Sequence, residues 1–153
     1  MNLTIQKNID RQGVKADLTN DGTEQLVYHT IQVVSGIAVT HGGGAGAGTL
    51  LAYPQEIDGN VQTTYLHLKA AETGSAVIKV ITHSYDKTAY EAYMQRADDH
   101  WADLQDTYTD EQLENADDLG LELNIENPPN HTETVSNEVT LEFDDSRGTI
   151  QIV

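Results

Sequence analysis

Between Leu3 and Ser84 apolar and polar residues alternate in short runs, and clusters of glycine, asparagine and aspartate interrupt the alternation. A period of two sends successive side chains to opposite faces, so such runs read as strands that bury one face. LTIQ (3–6) puts Leu3 and Ile5 on one side. Arg11-Gln12-Gly13 makes a turn, after which Val14, Ala16 and Leu18 alternate through VKADLT. Asn20-Asp21-Gly22 is a strong turn signal, because these residues tolerate positive φ. TEQLVYHTIQVV (23–34) is long enough to need a bend or bulge, and Ser35-Gly36 breaks it before IAVT (37–40). TLLAY (49–53), VQTTYLHLKA (61–70) and SAVIKVITHS (75–84) follow, separated by Asp58-Gly59-Asn60 and Glu72-Thr73-Gly74.

The period then changes. Tyr90, Met94, Ala97, Trp101 and Leu104 recur at alternating spacings of four and three, which is one stripe of a helix. Asp86 is placed to cap its N-terminus. Thr109-Asp-Glu-Gln112 has the pattern of a capping box and announces a second helix, with Leu113 and Ala116 inward and Gly120 at its end. LELNI (121–125) returns to period two. Asn127-Pro-Pro-Asn130 is a rigid connection, and TVSNEVTLEF and GTIQIV flank the turn Asp144-Asp145-Ser146-Arg147-Gly148. The expected fold is mainly β: one antiparallel β-sandwich, immunoglobulin-like or barrel-like, over residues 1–153. A two-helix insertion or flank at about 86–118 completes it. The stripe is expected to pack as core against a sheet, or else to form an oligomer interface.

Charge narrows the partners. Aspartate and glutamate number 25 against 8 lysines and arginines, a formal net charge of −17. Phosphate backbones and anionic membrane surfaces call for a basic stripe, so direct nucleic-acid and membrane partners are not expected. The acids are spread along the chain, not gathered in a tail, and lie between ordered-looking apolar segments. No cysteine is present, which excludes disulfides, thiolate metal sites and cysteine nucleophiles. MNLTIQKNID has neither a basic nor an apolar leader region, so synthesis and retention in the cytoplasm are expected.

His41-Gly-Gly-Gly-Ala-Gly-Ala-Gly48 is the most unusual stretch. A dinucleotide fingerprint needs G-x-G-x-x-G opening a helix, whereas the apolar run after this loop reads as a strand. A phosphate loop needs a lysine, which is missing. His41-Gly-Gly-Gly44 has the outline of an esterase oxyanion loop, but no G-x-S-x-G supplies a nucleophile. Gly42, Gly43, Gly44, Gly46 and Gly48 therefore read as contact surface or a hairpin tip, offering close backbone approach. The histidines at 29, 41, 67, 83, 100 and 131 match no zinc motif and read as satisfied or solvated groups. The acidic pairs at 98–99, 117–118 and 144–145 lack EF-hand spacing. No catalytic residue, cofactor or metal is expected, and the chain reads as non-enzymatic.

VKADLTNDGTEQLVYHTIQV (14–33) resembles the opening strands of immunoglobulin-like modules, a strand, an Asn-x-Gly turn and a second strand. The acid-rich, lysine-poor composition resembles that of salt-in halophiles, the haloarchaea above all. At molar salt the Debye length falls to about 3 Å, which screens self-repulsion. Composition, β-pattern and intracellular synthesis together are similar to head or tail proteins of tailed viruses infecting haloarchaea. That resemblance implies a structural virion subunit (capsid or tail), assembled in the host cytoplasm, whose partners are copies of itself and other structural proteins. The candidate interface comprises the five loop glycines with Tyr90, Met94, Trp101 and Leu104. Two alternatives are an exported adhesion or carbohydrate-binding sandwich, with Tyr53, Tyr65 and Trp101 stacking on sugars, and a small enzyme with a histidine and carboxylate site at His29, His67 or His83.

Overall fold

The N-terminal hairpin sets the pattern for the first sheet. β1 (Asn2–Asn8) runs antiparallel to β2 (Gly13–Thr19), Leu3 facing Leu18 and Ile5 facing Ala16 across the ladder. The computed structural model describes residues 1–20, 24–43, 51–53, 61–123, 125 and 129–153. β3 (Gln25–Gly36), β4 (Val39–Gly43), β5 (Leu51–Tyr53), β6 (Val61–Ala70) and β7 (Gly74–Asp86) complete the first half. After the helices come β8 (His131–Val135), β9 (Val139–Asp144) and β10 (Gln151–Ile152).

Every pairing among these strands is antiparallel. One sheet has the order β1-β2-β6-β4, and the other has β10-β9-β7-β3-β5 with β8 also on β7. Alternation explains how they stack. Leu3, Ile5, Val14, Ala16, Leu18, Leu66 and Leu68 turn inward from the first sheet. Val27, Ala76, Ile78, Val80, Leu141 and Phe143 turn inward from the second, and together they form one core. The mainly β, antiparallel sandwich expected from the sequence is the observed fold. The long third strand carries its irregularity between Val33 and Ser35, and it continues through Gly36 where a break was expected.

Gln12 ties the two sheets at one end. It takes φ 51° to close the β1–β2 turn, its carbonyl accepts from Leu68 N–H at 2.9 Å, and its Oε1 accepts from Ile152 N–H at 2.7 Å. Asn137 ties them along β1. TVSNEVTLEF does not form one strand: β8 and β9 follow the same edge of β7, with residues 136–138 stepping out between them. Ser136 fills the gap in the ladder, donating its N–H to Val80 O and accepting from Val80 N–H through Oγ, each at 2.9 Å. Asn137 then reaches across to β1, where its Oδ1 accepts from Ile5 N–H at 2.8 Å and its Nδ2 donates to Ile5 O at 3.0 Å. Removing that amide leaves two backbone groups of Ile5 without it. Asn137→Ala is therefore expected to cost about 2 kcal/mol, read as a lower urea midpoint at unchanged slope; an unaltered midpoint would refute the bridge.

The helical flank joins β7 to β8. α1 (Lys87–Thr107) starts on Asp86, whose Oδ1 accepts from Ala89 N–H at 2.9 Å, as its sequence position predicts. α2 (Asp110–Glu114) starts on a capping box in which Thr109 and Gln112 bond reciprocally. α3 (Ala116–Leu119) ends at Gly120 in the left-handed region. Two expectations fail here. LELNI forms no strand among its described residues, 121–123 and 125. Leu121 N–H bonds back to Ala116 O, and Glu122 O accepts from His100 Nε2 at 2.6 Å, so the segment is tied to the helices and not to a ladder. The apolar stripe of α1 is also core only in part, since Met94 and Trp101 stand exposed. The half-buried line is Tyr90, Tyr93, Ala97, His100, Leu104 and Tyr108, with Leu104 alone fully buried. The helix runs on from the end of β7, an inner strand, and meets the sandwich mainly at β3 and β7, so only a narrow face finds partners.

Candidate functional site

Strand alternation also builds the outer face of the second sheet. With Ile78, Val80, Thr82 and Ser84 of β7 inward, Ile81, His83 and Tyr85 must point out. β3 contributes Leu26, Tyr28 and Thr30 on the same side, and β8 contributes His131, Glu133 and Val135. The register aligns them in rows: Tyr28, His83 and Glu133 form one, and Leu26, Tyr85 and His131 the next.

The rings form a cluster. Tyr28 stacks on His83 with centroids 4.5 Å apart. His131 lies beside His83, its ring 10° from parallel and its centroid 5.0 Å from that of His83 and 6.5 Å from that of Tyr28; Tyr85 lies 5.1 Å from His131. Tyr85 meets Tyr90 of α1 at 5.2 Å in a tilted arrangement, which seats the first turn of the helix against the sheet. Within this cluster the polar atoms converge. His83 Nε2 lies 2.7 Å from Thr30 Oγ1, and His83 Nδ1 lies 3.0 Å from His131 Nε2 and 3.6 Å from Glu133 Oε1. His83 is largely covered, while Glu133 and His131 face solvent. Burial, with the charge of His131 adding, holds the His83 imidazole below its ordinary pKa, and Glu133 pulls the other way. Burial, reinforced by Tyr28 and Tyr90, pushes the Tyr85 phenol up.

The inner face holds a second histidine. His29 is 2% exposed and its Nδ1 lies 2.8 Å from Thr82 Oγ1. Burial above all, then His83 and His41, lowers its pKa to about 4. His41 on β4 is lowered by burial and by His67. His29 and His83 thus lie on opposite faces of one sheet, and His67 points outward from the other. The three do not converge on a single catalytic site.

The expected interface residues fall in different environments. Gly42 and Gly43 end β4, and the space above Gly42 is taken by His67 and Lys69 of the same chain, so a Cβ there would stand 2.5 Å from His67 Cδ2. Gly44, Gly46 and Gly48 lie outside the described residues. Tyr90 is engaged with Tyr85 and Leu104 is buried, but Met94 and Trp101 stand 40% and 43% exposed. Trp101 borders a shallow concavity with Leu113, Asp110 and Glu114 of α2. Of the aromatic side chains suited to sugar stacking, Tyr65 already carries the Arg11 guanidinium 4.5 Å above its ring, and the Tyr53 side chain is outside the described residues.

The convergence of His83, His131 and Glu133 is the feature that the sequence did not disclose. Each strand carries a visible period-two pair, His83 with Tyr85 and His131 with Glu133, but nothing local says that these strands are neighbours. The donor atoms of the three residues all lie within 4.8 Å of one another, two imidazole nitrogens and a carboxylate oxygen. No helix among the described residues is long and apolar enough to cross a membrane. No family model, curated protein or solved structure matches this chain, so its site is read from its own chemistry.

Proposed function

We propose that this chain is a non-enzymatic structural subunit of a large assembly, a head or tail protein of a halophilic tailed virus that acts through oligomer contacts. The carrying observation is the outer face of α1, where Trp101 stands exposed beside Leu113 with Asp110 and Glu114 at the rim, and Met94, seven residues earlier on the same helix, is exposed as well. An apolar centre with a charged border is the anatomy of a protein contact, and Trp and Met are enriched in such centres. The occupant that fits is a second copy of the chain, bringing the same apolar patch to a self-complementary contact. Copies with net charge −17 repel one another in dilute buffer. At molar salt the field is cut off within about 3 Å, and short-range burial prevails. The charge fits a halophilic setting; the proposed subunit is assembled in the host cytoplasm, with other structural proteins of the virion as further partners.

Sedimentation velocity of the full chain in molar KCl tests the reading. The parent is expected to form a closed oligomer. Met94→Ser with Trp101→Ser should stay folded, losing about 1 kcal/mol or less because both positions are exposed, and should sediment as a monomer. A monomeric parent, or a double variant that assembles like the parent, would reject the proposal.

A further inference from the structure

We propose that His83, His131 and Glu133 form a three-ligand site for a borderline divalent transition-metal ion of the zinc class, held on the outer face of the second sheet. The inference is independent of the assembly reading, since all three residues belong to one chain.

Geometry carries it. Two ligand atoms each about 2.0–2.1 Å from one tetrahedral ion stand roughly 3.3 Å apart. The observed separations are 3.0 Å between His83 Nδ1 and His131 Nε2 and 3.6 Å between His83 Nδ1 and Glu133 Oε1, on either side of that value. Small turns of His131 and Glu133, the two exposed members, bring all three onto one centre. The strands supply rigidity: His131 and Glu133 are two apart on β8, hence on one face, and each is paired in register with β7. The donor set of two imidazoles and one carboxylate suits a borderline ion, whereas magnesium and calcium prefer oxygen alone.

The surroundings match what such a ligand needs. A metal-bound imidazole commonly donates its second N–H to a fixed acceptor, which sets its tautomer and aim. Thr30 Oγ1, 2.7 Å from His83 Nε2, is placed to accept that hydrogen and leave Nδ1 bare toward the ion. Tyr28, stacked on the face of His83, holds that ring's plane. The exposed side provides entry and leaves a fourth position for water. Bound there, the ion would staple β8 to β7 just where the helical flank rejoins the sheet. Without it, the same contact is a hydrogen bond between two rings.

Calorimetric titration with ZnCl2 tests the proposal, run in molar KCl with excess MgCl2 so that surface carboxylates are already occupied by a hard cation. The full chain is expected to bind one Zn2+ with a dissociation constant in the micromolar range or below. His131→Ala and Glu133→Gln, both changes at exposed side chains, should each weaken binding by at least about tenfold, with circular dichroism confirming the parent fold. With Co2+ as the probe, the parent should show the visible absorption of a low-coordinate centre, and His131→Ala should lose it. No binding would overturn the site. So would equal affinity in parent and variants, or displacement by magnesium, because either marks diffuse attraction to an acidic surface.

Discussion

Gly13→Ala is expected to lower stability by more than about 3 kcal/mol, at the upper end of what overpacking costs. Gly13 opens β2 opposite His67, inside the first sheet and fully covered. A Cβ built there would stand 1.8 Å from Leu66 O and 2.8 Å from Leu66 C, with His67 Cα at 3.1 Å. These are backbone atoms, so no rotamer change relieves the clash. The β2–β6 ladder must part at this end, and the bond from Leu68 N–H to Gln12 O is strained with it. Folded domains are stable by only about 5–15 kcal/mol, so a loss of this size removes a large share. Gly148 is the natural control. It has φ 80° but nothing within 4 Å of a built Cβ, so Gly148→Ala should cost only about 1–2 kcal/mol of left-handed strain. Urea midpoints in molar KCl read both, and a Gly13→Ala midpoint no lower than that of Gly148→Ala would refute the steric account.

Local chemistry is what the sequence displayed well. VQTTYLHLKA is β6 to the residue, the Asp86 cap and the Thr109-Gln112 box both form, and Asp145–Gly148 lies between paired strands β9 and β10, Asp144 closing β9. Each of these depends on residues within a few positions of one another. What was hidden depends on distance. β7 meets β8 across 48 residues at His83 and His131, and no period in either strand announces the partner. The split of 134–143 into two strands was hidden for the same reason, since Asn137 breaks the run in order to bond Ile5, 132 positions away. The helical stripe misled in another way. Tyr90, Met94, Ala97, Trp101 and Leu104 do form one face, but periodicity shows that a face exists and not whether this chain covers it. Here the covered line keeps Tyr90, Ala97 and Leu104 but adds Tyr93, His100 and Tyr108 on one side, which leaves Met94 and Trp101 outside.

Between pH 7 and pH 5 the protein is expected to lose about 2 kcal/mol of stability through His29 alone, a value that follows from its two protonation equilibria. In the fold its imidazole is neutral down to about pH 4, because burial disfavours the charged ring and His83 and His41 add to the penalty. In the unfolded chain the same ring protonates near pH 6.5. The unfolded state therefore takes up a proton first as pH falls. Stability is complete above about pH 6.5, declines by up to about 1.4 kcal/mol per unit through the interval, and levels off below about pH 4, for a total near 3 kcal/mol. The sign runs against the global charge, since protonating a chain of net charge −17 relieves repulsion and favours the compact state. A variant separates the two effects. His29→Gln keeps a polar group beside Thr82 Oγ1 and cannot titrate, so it should start less stable at pH 7 yet show a flatter dependence down to pH 5. Both proteins carry the same acidic background, and the difference between their slopes isolates the buried ring. Urea unfolding of parent and variant at half-unit steps, in molar KCl, measures it. Parallel slopes would mean that His29 does not enter the core as a neutral imidazole.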